Sequence, residues 1–248
     1  MPVADRDPGA VAPTGAAGKS LPARILGVLL APRETYADVA TRPRWLGILA
    51  FVILVGSSGT FVFLSTEVGQ KAMLDQQVRM MESFGVKIPD TAYQRMEQGL
   101  DRARYTGAIG QAVSVVIAAL VIAGIALAVF NAVLGGEASF KQVFSIVVHS
   151  GVVISVSQLF GLPLAYARES MSGATNLAVF APFLDESSFA ARLLGAVDLF
   201  MLWWIVSLAI GLGVLYKKRT APIATTLIVV YVAIGVVIAA IKSAVAGA

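Results

Sequence analysis

His149 is the only histidine in the chain, and Asp198 is the only acid inside a predicted apolar span. A histidine general base, or a Ser-His-Asp relay, would have to be built from these two. An ionisable side chain at membrane depth is costly, so each is a candidate for proton or substrate handling. Asn131, Gln111 and Gln158 add uncharged polar groups within or beside the same apolar stretches. The rest of the inventory points away from catalysis. The chain has no cysteine, which removes disulfides, thiolate zinc sites and thiol nucleophiles together. Neither a HExxH zinc motif nor a GxSxG nucleophile elbow occurs. No catalytic residue, metal or cofactor is expected.

The elements that must carry these residues follow from charge. Only 14% of the residues are charged and 57% are hydrophobic, against about 25% charged in soluble domains. Such a surface could not be solvated, so the class is integral membrane protein. No charge occurs from Tyr105 to Gly136, and none from Gln142 to Ala167 apart from His149 itself. Between these runs lies a polar island, Asn131 to Gln142, short enough that the flanking helices must be antiparallel. Gly135 and Gly136 suit a left-handed helix end, and Ser139 with Gln142 fits a capping box for the next helix. Lys141 is placed to face lipid headgroups, and Glu137 with Lys141 forms an exposed tip able to meet a partner.

The fold class expected is all-α, a polytopic bundle of five transmembrane helices. The spans fall at about 45–64, 107–134, 143–165, 195–216 and 222–241, with a short tail at 242–248. Trp45 opens the first at interface depth. The second is longer than a ~30 Å core requires and must tilt or begin in the interface. Pro163 kinks or ends the third. The loop 168–192, with Glu169, Asp185 and Glu186, contains an apolar run at 177–184 too short to span, which touches the interface or caps the bundle. Residues 66–105 form a helical hairpin outside the hydrocarbon. Glu67, Lys71, Asp75 and Arg79 make an i,i+4 ladder there, and Thr91 with Gln94 resembles a capping box. Residues 21–44 read as two interfacial helices, with Tyr36 and Val39 facing the membrane surface and Arg24, Arg33, Arg42 and Arg44 near headgroups. Residues 1–20, rich in Ala, Pro and Gly and without an apolar h-region, read as a disordered tail.

Orientation follows the basic residues. With the N-terminus inside, inner segments hold ten Lys and Arg and outer segments nine, six of them in the hairpin, where six acids balance them. The compact Lys217-Lys218-Arg219 loop and the arginines beside Trp45 favour N-inside. In that topology His149 lies in the inner half and Asp198 near the outer face, so the two do not meet. Asp198 lies ~9 Å along a helix from Arg192, within reach of pairing with it. Asn131 and His149 share a depth across the island hairpin and are expected to hydrogen-bond directly or through water. Trp203 and Trp204 are adjacent and must face different directions, one of them toward lipid. No interleaved basic and aromatic surface is visible, so nucleic acid is not an expected partner.

Three ordered stretches resemble the YIP family, the Ypt/Rab-interacting integral membrane proteins, in their bacterial form. They are Pro32-Arg-Glu-Thr-Tyr36 followed by Pro43-Arg-Trp45, then Gly135-Gly-Glu-Ala-Ser-Phe-Lys-Gln-Val-Phe144, then Asp198-Leu-Phe-Met-Leu-Trp203 with Leu208 to Gly213. The likeness runs from about Leu21 to Ile241. It implies a five-helix membrane domain with a cytoplasmic N-terminus, in the inner membrane for a bacterial protein. Eukaryotic relatives look like Golgi and ER trafficking factors that engage Rab-type GTPases and shape membranes. GTPase binding is not carried over to this chain. The function expected is that of a non-enzymatic membrane organiser or adaptor, its partners the lipid bilayer and either another protein or a second copy. The alternative is a small transporter or channel subunit using the polar residues in the spans, although no inverted repeat is visible.

Overall fold

The computed structural model describes residues 18–171, 173, 175–181, 183–184 and 188–246. Most of the predicted tail, 1–17, and the acids Asp185 and Glu186 lie outside them. Helices are the regular structure of the described residues, joined by short turns, with no strand beyond a single Asn176–Asp198 bridge.

Two short helices open the chain, α1 (Leu21–Leu30) and α2 (Pro32–Thr41). Each has a proline in its first turn, where a missing N–H costs nothing. They fold back tightly because Gly27 has no side chain; a Cβ there would stand 2.2 Å from Thr35 Oγ1. Then come α3 (Leu46–Leu64), α4 (Glu67–Ser83), α5 (Asp90–Gln98) and α6 (Leu100–Leu127). A π-helical turn, Ala128–Val133, extends α6 into the island. The chain continues through α7 (Phe140–Ala167), a 3₁₀ turn (Leu177–Phe180), α8 (Phe189–Gly195), α9 (Leu199–Leu215) and α10 (Thr220–Ala246). Pro163 lies inside α7, which continues past it to Ala167.

α7 is the axis of the bundle. Its residues Val143 to Ser150 are all buried, Ser145 and His149 completely. α3 and α6 pack on one flank, α9 on the other, and α10 lies outside α9. α6 presents Ala119, Ala123 and Ala126 inward, small residues that let backbones approach closely where lipid supplies no hydrophobic drive. Its opposite face carries Ile109, Val113, Ile117, Val121 and Ile125, all more than half exposed. Val229, Val230, Ile234 and Val237 do the same on α10. An apolar exterior over a small-residue interior is the pattern of helices solvated by lipid. Four helices are long and apolar enough to cross a membrane: 46–64, 100–133, 140–167 and 220–244. The remaining predicted span is the shorter α9, of 17 residues.

The two residues of the N-terminal helices expected to face the membrane surface face protein instead. Tyr36 and Val39 are fully buried, because α1 and α2 dock across α7 and α9. The 66–105 segment is helical on both sides of a break at 84–89, and its two helices pack on different parts of the bundle. α4 packs its buried Ala72 and Leu74 toward the ends of α3 and α7 and touches α10. α5 has no buried residue and packs on the start of α6. The ladder from Glu67 to Arg79 forms no ion pair among the described residues. Thr91 is not a cap, since α5 starts at Asp90 after Pro89, while Thr66 caps α4 by accepting from Gly69 N.

Candidate functional site

The polar island is a built junction. Ser139 caps α7, with Gln142 N donating to Ser139 Oγ at 3.3 Å and Ser139 N donating to Gln142 Oε1 at 2.9 Å. Gln142 also donates from Nε2 to Ala40 O at 3.0 Å, so one side chain closes the capping box and holds the end of α2. On the other side of the island, Asn131 Nδ2 donates to Ala138 O at 2.8 Å and Oδ1 accepts from Tyr216 Oη at 2.8 Å. The Tyr216 ring stacks on Phe130 at 4.7 Å. Gly135 adopts φ +69°, and a Cβ on Gly136 would stand 2.6 Å from the Tyr216 ring. The island therefore ties α2, α6, α7 and the end of α9 together. Glu137, Ser139 and Lys141 lie on its exposed rim.

Beneath it lies a second layer of polar contacts. Arg24, 2% exposed, faces Asp38 at 2.8 Å and donates to the carbonyls of Arg42 and Arg44 at 3.2 Å. The Arg24–Asp38 contact is a close ion pair rather than an aligned hydrogen bond, since Asp38 Oδ2 and Arg24 Nε have no hydrogen-bond partner. Arg24 is thus an internal strut between α1, α2 and the turn into α3, not a headgroup contact as expected. Tyr36 Oη and Ser207 Oγ share a buried 2.7 Å hydrogen bond that fastens α2 to the middle of α9. The ring lies where a Cβ on Gly211 would come within 3.1 Å of it. Burial pushes the Tyr36 phenol well above its usual range, and the Ser207 bond offsets part of that.

His149 and Asn131 do not pair. His149 Nδ1 donates to Ser145 O at 2.6 Å, one turn back on its own helix, while Asn131 is taken up by Ala138 and Tyr216. His149 Nε2 and Ser145 Oγ find no partner among the described residues. A helix end explains the difference: Asn131 sits in the π turn, where it reaches the island's own backbone, and His149 lies more than two turns down α7.

Asp198 belongs to a separate cluster at the opposite end. It precedes α9 rather than lying inside it, and its Oδ1 accepts from Met201 N at 3.0 Å as an N-cap. Its Oδ2 accepts from Thr175 Oγ1. Tyr231 Oη accepts from Asp198 N at 3.0 Å and donates to Ala196 O at 2.8 Å. Asn176 donates to Gly195 O at 3.0 Å and caps the 3₁₀ turn through Ala178 N. The expected Arg192 partner is instead bonded to Ser243 Oγ at 3.3 Å. Trp203, 39% exposed, lines a cleft of about 480 Å³ with Phe160, Phe180 and Phe200, while Trp204 packs against the core. His149 and Asp198 are thus components of two unconnected networks.

Gln158 faces a third region. Its Oε1 is buried without a partner, and both it and Gln111 Nε2 crowd the bare backbone of Gly56. The adjoining groove between α3 and α7, about 670 Å³, is mostly apolar, with Ser58, Thr66 and Tyr166 as its other polar residues. No cluster of three or more His, Asp or Glu arranged for a metal occurs among the described residues.

Missed in the sequence were Asp38, Ser207, Thr175, Asn176, Tyr216 and Tyr231, each of which completes a contact between distant segments. The one local signal was the acid Asp38 facing Arg24 across a Pro-initiated helix pair.

Long apolar helices, lipid-type outer faces and polar groups closed on one another define a multi-pass integral membrane protein. Its apolar flanks are in contact with lipid. A profile of the Yip1 domain matches residues 26–241, and the chain belongs to the Yip1 domain family. That family is not known as a family of enzymes. No curated protein and no solved structure matches the chain.

Proposed function

We propose that this chain is a non-enzymatic membrane organiser or adaptor, working through protein partners or lipid at the face formed by α1, α2, the island and the α9–α10 turn. One observation carries the reading. The polar side chains inside this face are spent on holding it together, whereas Glu137, Lys141, Arg33, Lys217, Lys218 and Arg219 remain exposed around it. A surface whose interior is fastened and whose rim is charged suits docking rather than turnover. In this reading the chain comprises a tail at 1–20, the α1–α2 unit at 21–44 and five spans formed by α3, α6, α7, α9 and α10. The 66–105 segment and the Asp198 cluster lie at the other membrane face. The N-terminus and the Lys217–Arg219 turn are cytoplasmic, and the membrane is the bacterial inner membrane.

The transporter alternative needs its polar residues to share a path. Asn131, His149, Gln158 and Asp198 instead lie in separate networks, with apolar Val52, Ile122, Val148 and Trp204 around the cavity between α3, α6 and α7. Photo-cross-linkers at Glu137 and Lys141, with Arg79 in α4 as the distant control, test the adaptor reading in intact cells. A stoichiometric adduct at the first two positions, to another protein or a second copy, is the expected result. A clean monomer at both, together with unchanged membrane composition on deletion, would refute it.

A further inference from the structure

We propose that the cleft between α2 and the α9–α10 turn is a site for the phosphate of an anionic phospholipid headgroup. This deepens the lipid part of the function proposed above by naming the ligand and its place. The cleft holds about 450 Å³ and is lined by Arg33 and Ala37 from α2 and by Gly213, Lys217, Lys218 and Arg219 from the turn. Four cations from two segments of the chain converge there, and no carboxylate among the described residues lines it. None of the four makes an ion pair or side-chain hydrogen bond among the described residues. The nearest acid in sequence, Glu34, is turned to Lys19 at 4.0 Å. Glu137 borders the adjoining cleft, which shares Lys217, without pairing to it. Like charges held together without a counter-ion repel one another, and a bound anion removes that cost.

The backbone is shaped to place them. The N–H of Lys218 donates to Gly213 O at 2.9 Å and that of Lys217 reaches Val214 O at 3.4 Å, the paired bonds of a Schellman turn. The left-handed position of that turn, where glycine is favoured, is occupied by Lys217 at φ +53°. A lysine held there against its backbone preference is an observed strain, of the kind that collects at ligand clamps. Gly213 is needed for the same turn, since a Cβ would come within 3.1 Å of Lys218 O and Thr220 Oγ1.

Depth selects the source of the anion. Apolar α9 ends at Leu215 and apolar α10 begins at Thr220, so the cations sit directly at the ends of two membrane helices. Phosphodiesters of phospholipids are concentrated at that level, and a basic pocket between such helices is suited to them. Arg44 is exposed between α2 and α3 and lines neither this cleft nor the adjoining one, which makes it the internal control.

The test uses the full chain purified in mild detergent, exchanged into nanodiscs of phosphatidylcholine with a minor fraction of phosphatidylglycerol, with retained lipid quantified by mass spectrometry. The wild-type protein is expected to enrich phosphatidylglycerol. Neutralising each cleft cation lowers that enrichment about fivefold, so Arg33→Gln with Lys217→Gln and Lys218→Gln lowers it by roughly a hundredfold. Arg44→Gln leaves it unchanged, and thermal unfolding of both variants stays that of the wild type. Equal loss in the control, or none in the triple variant, overturns the proposal. Displacement of the lipid by millimolar glycerol 3-phosphate, with no salt-matched effect of chloride, overturns the lipid assignment in favour of a soluble phosphate. Cross-linking at Glu137 in the same triple variant separates the two readings. An adduct that persists while lipid enrichment is absent from the start refutes this site and leaves the adaptor standing.

Discussion

Replacing Arg24 by methionine removes the cation from one of the most enclosed ion pairs in the described chain. Its side chain is 3% exposed and that of Asp38 15%, so Asp38 would be left as an acid with little access to water. Deleting one partner of a buried pair costs about 3–5 kcal/mol, because the remaining charge is uncompensated. The 15% exposure of Asp38 puts the expectation at the low end, about 3 kcal/mol. The carbonyls of Arg42 and Arg44, which also lose Arg24 as donor, are at the half-exposed turn and can be hydrated. For a chain of this length each kcal/mol moves Tm by about 2–4 °C, so Arg24→Met lowers Tm by roughly 6–12 °C. Arg24→Met combined with Asp38→Leu replaces the pair by apolar groups and returns to within about 2 kcal/mol of the wild type. The assay is thermal unfolding of the detergent-solubilised full chain followed by size-exclusion fluorescence. A single variant within 2 °C of wild type, or a double variant at the sum of its singles, would refute the strut.

Three further outcomes follow from the same contacts. Tyr36→Phe and Ser207→Ala should couple by about 0.6 kcal/mol and no more than about 1.7 in a double-mutant cycle, the range of interhelical hydrogen bonds in membranes; independent effects would mean the 2.7 Å contact carries nothing. Gly136→Ala places a methyl 2.6 Å from the Tyr216 ring and should destabilise by about 1–3 kcal/mol, whereas Gly110→Ala, with open space, should be neutral or better in the same melt. Asp198→Ala loses a helix cap and a Thr175 contact and should cost about 1–2 kcal/mol, with Asp198→Asn close to wild type; a large loss for asparagine would point to a role for the charge itself.

The bundle was legible because lipid imposes length and apolarity on each helix. The absence of charge around Asn131 to Gln142, the Gly135 turn and the Ser139–Gln142 cap could be read from local rules alone. What escaped were contacts whose partners lie far apart in sequence. Tyr36 and Ser207 are separated by 171 positions, and nothing in Pro32-Arg-Glu-Thr-Tyr36 distinguishes a tyrosine facing headgroups from one inserted in a bundle. In α1 and α2 the apolar Val28, Tyr36 and Val39 meet protein, while Leu26 and Leu30 stay exposed. Asp198 was misplaced for a related reason. Apart from Asp198 itself, apolarity runs through 195–216, and the Thr175 and Asn176 segment, arriving from another part of the chain, meets the helix start there.

The shortness of α9 bears on the shape of the bilayer itself. Its 17 residues cover about 25 Å, against a hydrocarbon core of about 30 Å, whereas the continuous helix from Leu100 to Val133 on the other side of α7 covers about 50 Å. Asp198, at its head, is bonded to the twelfth residue of α10, Tyr231, and α10 runs on for about 16 Å to the level of Lys242. In the five-span arrangement α9 is thus the shortest span, and the longer α10 outside it overhangs its head. The head of α9 is closed by Thr175, Asn176 and Tyr231 rather than by further helix, while lipid beside the long 100–133 helix must stretch or let that helix tilt, at a fraction of a kcal/mol per Å. In that arrangement one bundle holds spans of unequal hydrophobic length, and the difference falls to the bilayer around them to absorb by tilt or local deformation.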